Sequence, residues 1–514
     1  MKAPAVAMAM AVKHPLLYQL NTRVLLHERG VARGRPATLD DFDDAFLDRI
    51  AERGFQWVWL LGVWQTGPAG REVSRADPAL RTALRSELPD LREDDITGSP
   101  FAVRAYETHR DFGGDRALAK LRERLARRKL RLLLDFVPNH TAIDHAWVDE
   151  HPEYYIHGSA EDLARQPQNY LSVKSKRGGQ TGNPMILAHG RDPYFDGWRD
   201  TLQLNYRHAG FREAQIAQLG AVADRCDGLR CDMAMLLEPE IIARTWGVRA
   251  LPSDGSPSKD NPFWPEAIAA IRRRHPGFQF IAEVYWDMEW QLQQHGFDYT
   301  YDKRLYDRLH DGAAGPVRGH LQADPGFQDR SLRFLENHDE PRAASAFPRE
   351  QHQAAAVVTF MAPGLRFFHE GQLEGRKVHV SMHLGRRPDE PVDEDLQAFY
   401  GRLLEVLQRP EAHDGAWQLL TCWSAWSGNS THEQFIASVW QTGDRRLLSV
   451  VNYGPTQGQC YVTLPLPGLG GRMFTLVDLL GEAQYRRSGD ELATRGLYLD
   501  MPAWGRQIFD LRLG

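Results

Sequence analysis

The chain has 514 residues, of which 42% are hydrophobic and 25% charged, and its formal net charge is −6. This composition is typical of a globular protein with two to four domains, and the mildly acidic balance argues against a dedicated nucleic-acid binder. No apolar run approaches the roughly 20 residues that a membrane span needs. We therefore expect neither nucleic acid nor a membrane as a partner.

Eight short apolar runs between about Leu16 and Leu407 predict β-strands, and helical patterns separate most of them. The strands are Leu16–Leu26, Phe55–Trp64, Leu130–His140, Cys226–Ala234, Phe278–Trp286, Phe297–Tyr306, Leu332–Asp339 and Leu365–Gly371. The helical patterns include Thr38–Gly54, with Asp40 as candidate cap, Asp115–Arg128, Arg212–Asp224, Pro265–His275 and Glu350–Met361. Repeated strand–helix units imply a parallel sheet, and eight of them suggest a closed (β/α)8 barrel.

Two further parts of the chain depart from this rhythm. Residues 141–207 are rich in Gly, Pro, His, Tyr and Trp and are too long for an ordinary loop, so we expect an excursion domain after the third strand. Residues 411–514 alternate short strands with turns, which predicts a C-terminal antiparallel β-sandwich. The fold class is therefore α/β, with the barrel formed by residues 1–140 and 208–410.

The cysteines and the N-terminus bear on location. Four cysteines in this length do not make a disulfide framework, and Cys226 and Cys231 should point to opposite faces of one strand. The opening MKAPAVAMAMAV is faintly like a signal peptide but lacks a convincing cleavage region. We expect a cytoplasmic protein.

Polar side chains gather at the C-terminal ends of several predicted barrel strands, where this fold builds its active sites. Residues i and i+2 of a strand share a face, so Arg230 and Asp232 should project side by side. A structural ion pair is the alternative interpretation of these two, and Asp135 is better explained as a hydrogen-bonded core residue. The full set is Asp135, Asn139 and His140 on strand three, Arg230 and Asp232 on strand four, Glu283 on strand five, and Asn337, His338 and Asp339 on strand seven.

Three of these carboxylates, Asp232, Glu283 and Asp339, should converge over one pocket. Glycosidic cleavage needs one carboxylic acid to protonate the leaving oxygen and one carboxylate to attack or stabilise the sugar cation. Aspartates beside Glu283 should raise its pKa, which suits an acid, while Arg230 should keep Asp232 ionised as a nucleophile.

Four motifs carry a resemblance to a known family. DFVPNH, GLRCDMA, AEVYW and ENHDE resemble, in order and spacing, the signature regions of the α-amylase family, glycoside hydrolase family 13. The resemblance implies retaining cleavage or transfer at α-glucosidic bonds of an oligosaccharide or α-glucan. It also implies Asp232 as nucleophile, Glu283 as acid/base and Asp339 as the carboxylate that binds sugar hydroxyls.

The same resemblance suggests substrate-binding residues. Arg230, His140 and His338 match residues that hold the sugar beside the nucleophile, and Phe101 matches a stacking aromatic ring. Arg342 resembles an arginine that helps exo-acting α-glucosidases hold a chain end, although Gly98 stands where its aspartate partner is expected. Because it lies three residues beyond Glu283, Trp286 is our candidate for a further stacking ring.

Departures from the family pattern leave alternatives open. Met235 and Leu236 replace the Lys and His of many α-amylases, which predicts an apolar leaving-group side and argues against a standard endo-acting amylase. A transglycosylase moving glucosyl or maltosyl units is therefore the main alternative, and a non-catalytic sugar-binding relative is the third. Asn139 matches a calcium ligand of many α-amylases; we expect no obligatory cofactor and leave calcium open. Oligomeric state stays undetermined.

Overall fold

The computed structural model describes residues 12–174 and 184–514, so all but the last residue of MKAPAVAMAMAV lies outside the described residues. Eight parallel strands close into a barrel, in which each strand pairs with its neighbours in chain order and the first pairs with the eighth. They are Leu16–Asn21, Trp57–Leu61, Arg131–Phe136, Gly228–Cys231, Gln279–Ala282, Tyr299–Tyr301, Ser331–Arg333 and Leu365–His369. Each lies within one of the eight predicted runs except that Ser331 begins one residue earlier, and the predicted (β/α)8 barrel is confirmed.

Apolar strand composition explains this architecture. Leu132, Leu133 and Leu134 are fully buried in the third strand, and Phe367 and Phe368 are fully buried in the eighth. Strands of a parallel barrel are covered on both faces, by the barrel interior and by the surrounding helices, so continuous apolar runs are favoured there.

Two local predictions at the N-terminal end are wrong. The first strand ends at Asn21, whose side chain caps the helix Thr22–Arg33 by accepting the Val24 N–H (3.4 Å). The apolar residues that follow Asn21 therefore pack from a helix. Asp40 lies in a 3-10 turn, and Asp43 caps the next helix by accepting the Phe46 N–H (2.8 Å). An Asn or Asp side chain satisfies the free N–H groups of a first turn, which fixes both helix starts.

Helices surround the barrel strands. Those of the barrel part of the chain are Thr22–Arg33, Asp44–Glu52, Pro68–Ala76, Pro78–Glu87, Gly114–Arg127, Ala209–Ala223, Pro239–Trp246, Trp264–Arg274, Glu289–Gln294, Lys303–His310, Ala314–Leu321, Pro325–Asp329, Ala343–Ala346, Arg349–Phe360 and Glu394–Leu407. Among the described residues, no helix combines the length and the apolar character that crossing a bilayer requires.

Two long connections rise on the C-terminal side of the barrel strands. Between the second and third strands, a hairpin of Trp64–Thr66 and Val103–Thr108 flanks two helices. Between the third and fourth barrel strands, the described residues form two antiparallel strand pairs and two short helices. His140–Ala142 pairs with Thr201–Gln203, Tyr170–Val173 pairs with Met185–Ala188, and the helices are Trp147–Glu150 and Ala160–Arg165. This second connection occupies the place of the expected excursion domain; its boundaries stay predictions.

The C-terminal part consists of two antiparallel sheets around a separate apolar core. The six-stranded sheet contains Ala416–Leu420, Phe435–Thr442, Arg445–Asn452, Met473–Asp478, Gln484–Ser488 and Arg506–Leu513, and the three-stranded sheet contains Cys422–Ser424, Gly458–Val462 and Leu497–Met501. Short helices Pro410–Asp414 and Gly489–Thr494 accompany them. The Trp440 indole N–H donates to the Met361 carbonyl (2.8 Å), which joins this part to the barrel.

Candidate active site

The three predicted carboxylates lie at the C-terminal end of the barrel. Asp232 directly follows the fourth strand, Glu283 directly follows the fifth, and Asp339 lies in the loop after the seventh. Asp232 is 6% exposed and Glu283 3%, whereas the Asp339 side chain is 32% exposed. Two carboxylates therefore form the floor of the site and the third lies at its mouth.

One guanidinium connects the two floor carboxylates. Arg230 donates through Nη1 to Asp232 Oδ1 (2.6 Å), and its Nη2 lies 2.7 Å from Glu283 Oε2. Burial lowers the pKa of Arg230, but Glu283, Asp232 and neighbouring acidic groups outweigh burial and hold it well above its ordinary value. Arg230 is therefore a fixed positive charge shared by both groups, whereas the sequence analysis paired it with Asp232 alone.

Glu283 has the surroundings of a buried acid. The Tyr285 hydroxyl donates to its Oε1 (3.0 Å), and the Met233 N–H donates to its Oε2 (2.7 Å). Burial raises the pKa of Glu283 to about 8, with Arg230 opposing and the charges of Asp232 and Asp339 adding to the rise. The raised pKa agrees with the expectation, but burial is a larger cause than the crowding of carboxylates on which that expectation rested.

The backbone beside these carboxylates is strained. Met233 has φ 43° and Trp286 has φ 65°, both in the left-handed region that side-chain-bearing residues rarely adopt. Met233 directly follows Asp232, and its conformation aims its N–H at Glu283. Such strain persists where the surrounding structure holds it, and it clusters at functional sites.

Phe101, His140 and His338 lie around the same guanidinium and carboxylates. The Phe101 ring centre is 5.5 Å from the His338 ring and 5.2 Å from the Arg230 guanidinium carbon. His338 Nε2 lies 3.2 Å from Asp339 Oδ2, and burial lowers the pKa of His338 well below its ordinary value. Burial likewise lowers the pKa of His140 to about 4, against the opposing charge of Asp232. Both imidazoles are therefore neutral donors or acceptors at neutral pH.

Several supporting residues were missed by sequence reasoning. Gln19, at the end of the first strand, donates to His338 Nδ1 (3.1 Å), which leaves the other ring nitrogen toward Asp339. The rings of Trp59 and Tyr301 lie 5.5 Å and 5.9 Å from the Arg230 guanidinium carbon. Tyr285 lies within the AEVYW motif. These four residues share one feature in the sequence that could have identified them: each is a polar or aromatic residue on a barrel strand or directly after one.

Asp135 is a structural residue, as its place in the strand suggested. It is 1% exposed, accepts the Gly62 N–H at Oδ2 (2.9 Å) and lies 3.6 Å from Arg230. Burial raises the pKa of Asp135 to about 6. It orients Arg230 from below and does not reach the mouth of the site.

The hydrogen bonds of Arg342 go to groups other than the three carboxylates of the site. Arg342 is 3% exposed, donates through Nη1 to Glu336 Oε1 (2.6 Å) and to the Glu370 carbonyl (2.8 Å), and so has its guanidinium occupied within the protein. Gly98 has φ 82°, and a Cβ there would lie 3.0 Å from the Arg71 Cα, so an aspartate does not fit in this backbone. The role of Arg342 in holding a chain end stays a prediction.

The leaving-group side differs from the expectation. Met235 and Leu236 are 0% and 5% exposed and belong to the hydrophobic core, so they do not form an apolar surface for a sugar. Instead, the half-buried Trp286 meets the exposed Tyr194 of the excursion segment edge to face, with ring centres 5.1 Å apart. Arg244 lies over Tyr194 and donates to its hydroxyl (2.9 Å). An aromatic rim therefore stands beyond Glu283.

Both oxygens of Asn139 accept hydrogen bonds within the protein. The Gln203 side-chain amide donates both to Asn139 Oδ1 (2.9 Å) and to its carbonyl (3.0 Å), and the Leu204 N–H also donates to that carbonyl (3.1 Å). Within residues 12–174 and 184–514, no group of three or more His, Cys, Asp or Glu side chains is arranged to hold a metal ion. Asn139 thus fits a structural role in anchoring the excursion segment, and no chemical step is assigned to a metal.

A parallel barrel whose C-terminal face holds three carboxylates, one of them a buried acid, has the arrangement of groups that glycosidic cleavage needs. Residues 101–306 match the family model of the alpha-amylase catalytic domain. These residues include the first three of the four motifs, and so Asp232 and Glu283, together with the excursion segment. This match confirms the resemblance to the α-amylase family that was drawn from the four motifs.

Curated relatives are similar over part of their length. Alpha-amylase MalA of Haloarcula japonica is 26% identical over 309 residues, which are 58% of this chain and 39% of that protein. Alpha-1,4-glucan:maltose-1-phosphate maltosyltransferase of Burkholderia pseudomallei is 25% identical over 354 residues, 64% of this chain and 25% of that protein. The matches thus span about two fifths and one quarter of these relatives.

The fold is shared with solved structures along nearly the whole chain. The maltogenic alpha-amylase AmyB from Thermotoga neapolitana superposes with a TM-score of 0.67 at 20% identity, covering 98% of this chain and 99% of that one. At this identity the likeness concerns the arrangement of barrel, excursion segment and C-terminal sheets.

Proposed function

We propose that the protein is a retaining glycosidase that acts on α-glucosidic bonds of oligosaccharides or α-glucans. The observation that carries the proposal is the Arg230 bridge, because one guanidinium touches both Asp232 and Glu283. Retaining enzymes hold their two carboxyl groups about 5–5.5 Å apart, whereas inverting enzymes leave about 6.5–9.5 Å for a water molecule. Two carboxylates on the neighbouring nitrogens of one guanidinium favour the shorter spacing.

The first half of the proposed reaction forms a covalent intermediate. Asp232 Oδ1 is held by Arg230, which leaves Oδ2 to attack the anomeric carbon. Glu283, protonated at neutral pH because its pKa is about 8, gives its proton to the leaving glycosidic oxygen. The C–O bond of the substrate breaks as the Asp232–carbon ester forms, and the leaving sugar departs with the proton.

The second half returns the sugar to an acceptor. Glu283, now ionised, takes a proton from the incoming hydroxyl, whose oxygen attacks the anomeric carbon and releases Asp232. The configuration is retained because two displacements occur. Asp339, with His140 and His338, is proposed to bind hydroxyls of the reacting sugar, and Phe101 to stack on its face.

The main alternative is a transglycosylase that moves glucosyl or maltosyl units. The aromatic rim of Trp286 and Tyr194 supports this candidate, because rings beyond the acid/base provide a platform on which an acceptor sugar can displace water. The similarity to a maltosyltransferase is in keeping with it. The third candidate, a non-catalytic sugar-binding protein, would be expected to lack a carboxylate, and all three are in place.

A product-resolved assay tests the proposal. Purified protein is incubated with maltooligosaccharides, sucrose, trehalose and glucose 1-phosphate, with and without added acceptor sugar, and Asp232→Asn serves as control. Short products that vanish in the variant support hydrolysis, and longer or rearranged products that vanish support transfer. Turnover that survives Asp232→Asn, or no turnover of any of these sugars, contradicts the proposed enzyme.

The cellular setting is also part of the proposal. A cytoplasmic location is in keeping with four free cysteines, since disulfides are uncommon in that compartment. The proposed partner is the sugar substrate, without nucleic acid or membrane, and the proposed reaction uses side chains of the protein alone.

A further inference from the structure

A large cleft outside the carboxylate site is lined by positive charge. It has a volume of about 1060 Å³ and lies between the helix Thr22–Arg33 and the connection that follows the second barrel strand. Seven arginines line it against three aspartates, in a chain whose net charge is −6. We call it the arginine cleft; its walls include Arg23, Arg71, Arg92, Arg104 and Arg110.

These five arginines are not neutralised by neighbouring acids. Within the described part of the chain, none of their guanidinium groups lies within 4 Å of a carboxylate oxygen, although the Arg92 backbone N–H donates to Asp95 (2.8 Å). The other two lining arginines, Arg35 and Arg75, form ion pairs with acidic residues. One of the aspartates, Asp95, is taken up by Arg386 from the opposite side (2.7 Å). The positive charge of the cleft is therefore largely uncompensated.

Arg23 is the least ordinary of the five. It is only 9% exposed, and its guanidinium donates to the Thr97 hydroxyl (3.0 Å), to the Gly98 carbonyl and weakly to the Thr66 hydroxyl (3.4 Å). Neutral acceptors satisfy its hydrogen bonds but leave its charge in place. Buried charges in proteins are usually paired, so an unpaired buried arginine at a cleft wall calls for a counter-charge.

A second group senses the same positive field. His109 lines the cleft, and its pKa is lowered by burial and then by the positive charge of Arg23; Asp111 opposes this shift, and Arg71 and Arg110 add to it. Arginines from three separate segments of the chain therefore act on one point in the cleft. Such convergence focuses an electrostatic potential and attracts anions.

We propose that the arginine cleft binds a small molecule that carries a phosphoryl group. Guanidinium groups match the geometry of phosphate oxygens and bind them by paired hydrogen bonds. A volume of about 1060 Å³ is at the upper end of small-molecule pockets, so the cleft accommodates a phosphorylated sugar as well as free phosphate. The site is separate from the three carboxylates and does not depend on the proposed hydrolysis.

The site has a direct structural path to the carboxylate pocket. Arg23 binds the Gly98 carbonyl, Arg71 packs its backbone against Gly98, and Phe101 follows three residues later. An anion that draws Arg23 or Arg71 toward the cleft therefore acts on the segment that positions the Phe101 ring. Occupancy of the cleft is expected to change substrate affinity in the carboxylate pocket.

Calorimetric titration at low salt tests the proposal, with inorganic phosphate, glucose 6-phosphate and glucose as probes. The double variant Arg71→Gln/Arg104→Gln removes two exposed charges of the cleft without touching the buried Arg23. Its matched control is Arg273→Gln/Arg402→Gln, which removes two exposed arginines elsewhere that form no ion pair with another described residue. Thermal unfolding of both variants checks that the fold is retained.

We expect glucose 6-phosphate to bind with a Kd below about 1 mM, to weaken at least about tenfold in the cleft variant, and to weaken with rising ionic strength. The control variant should bind glucose 6-phosphate as tightly as the wild type does. Glucose should not bind. Equal binding of inorganic phosphate indicates a site for the free ion, and tighter binding of glucose 6-phosphate indicates a sugar phosphate. The proposal is overturned if no phosphate compound binds, if the cleft variant binds as tightly as the wild type, or if the control loses binding equally.

Discussion

The hydroxyl of Tyr285 is predicted to set the alkaline limit of activity. Tyr285→Phe removes a donor that lies 3.0 Å from Glu283 Oε1 and leaves the ring in place. A donor stabilises the ionised carboxylate more than the protonated acid. Its loss should therefore raise the pKa of Glu283 above about 8, so that the acid form persists to higher pH.

The size of the effect follows from the strength of one hydrogen bond. A bond to a charged group contributes about 1.5–3 kcal/mol, and a bond to a neutral group about half as much. The difference between the two forms of Glu283 is therefore about 1 kcal/mol, and since 1.36 kcal/mol corresponds to one pKa unit, the rise is about 0.7.

The pH dependence of kcat/KM on a maltooligosaccharide measures this rise, because that ratio reports the pKa values of the free enzyme. The wild type should lose activity above about pH 8, and Tyr285→Phe should keep it to higher pH. Tyr453→Phe is the matched control, since the Tyr453 hydroxyl is also buried and donates to the Leu309 carbonyl (2.5 Å), far from Glu283 in the chain. An alkaline limb that stays in place or moves to lower pH in Tyr285→Phe would refute the reasoning.

Four further predictions concern stability, the nucleophile, the rim and a buried pair. The folded-state pKa of Glu283 lies above its ordinary value of 4.5, so the protein loses stability as the pH rises toward about 8. Glu283→Gln does not ionise, so its Tm should rise relative to that of the wild type over this range. A Tm difference that stays constant from pH 4 to 9 would contradict the raised pKa. Asp232→Ala should lower kcat by at least about 10³-fold. Added azide should then replace the missing carboxylate and form a glycosyl azide of inverted configuration. Rescue by azide without inversion would argue against a covalent intermediate on Asp232. Trp286→Ala should lower the ratio of transfer to hydrolysis several-fold at fixed acceptor concentration, with Trp426→Ala, at an exposed tryptophan, as control. An equal drop in the rates of transfer and hydrolysis would reject the acceptor platform. Arg342→Ala should lower the free energy of unfolding by about 3–5 kcal/mol because it breaks a buried ion pair. The KM values for short and long substrates should change in parallel. A rise in KM for short chains alone would indicate that Arg342 holds a chain end.

The barrel was predictable because its strands are continuous apolar runs, and their number and order follow from the chain alone. The ends of those strands were also predictable in character, since polar residues appear there in four motifs. The positions of Asp232, Glu283 and Asp339 at one end of the barrel follow from these two facts together.

Other features depend on contacts between distant parts of the chain. Arg342 stands near Asp339 in sequence, but Glu336 and the Glu370 carbonyl draw its side chain into the interior. Met235 follows Asp232 closely, yet it packs into the core because the chain turns into a 3-10 helix there. Spacing in the sequence predicts which loop a residue occupies, whereas the direction of its side chain depends on partners that the spacing does not reveal.

In the proposed two-step reaction, the sharing of Arg230 between two carboxylates links the first half of the reaction to the second. When Asp232 becomes an ester, its negative charge disappears, and with it one of the causes that raise the pKa of Glu283. The whole attraction of Arg230 then falls on Glu283, which further favours the ionised form. The same side chain thus becomes a better base at the moment when a proton must be taken up, so the covalent state itself resets the catalyst for its second task.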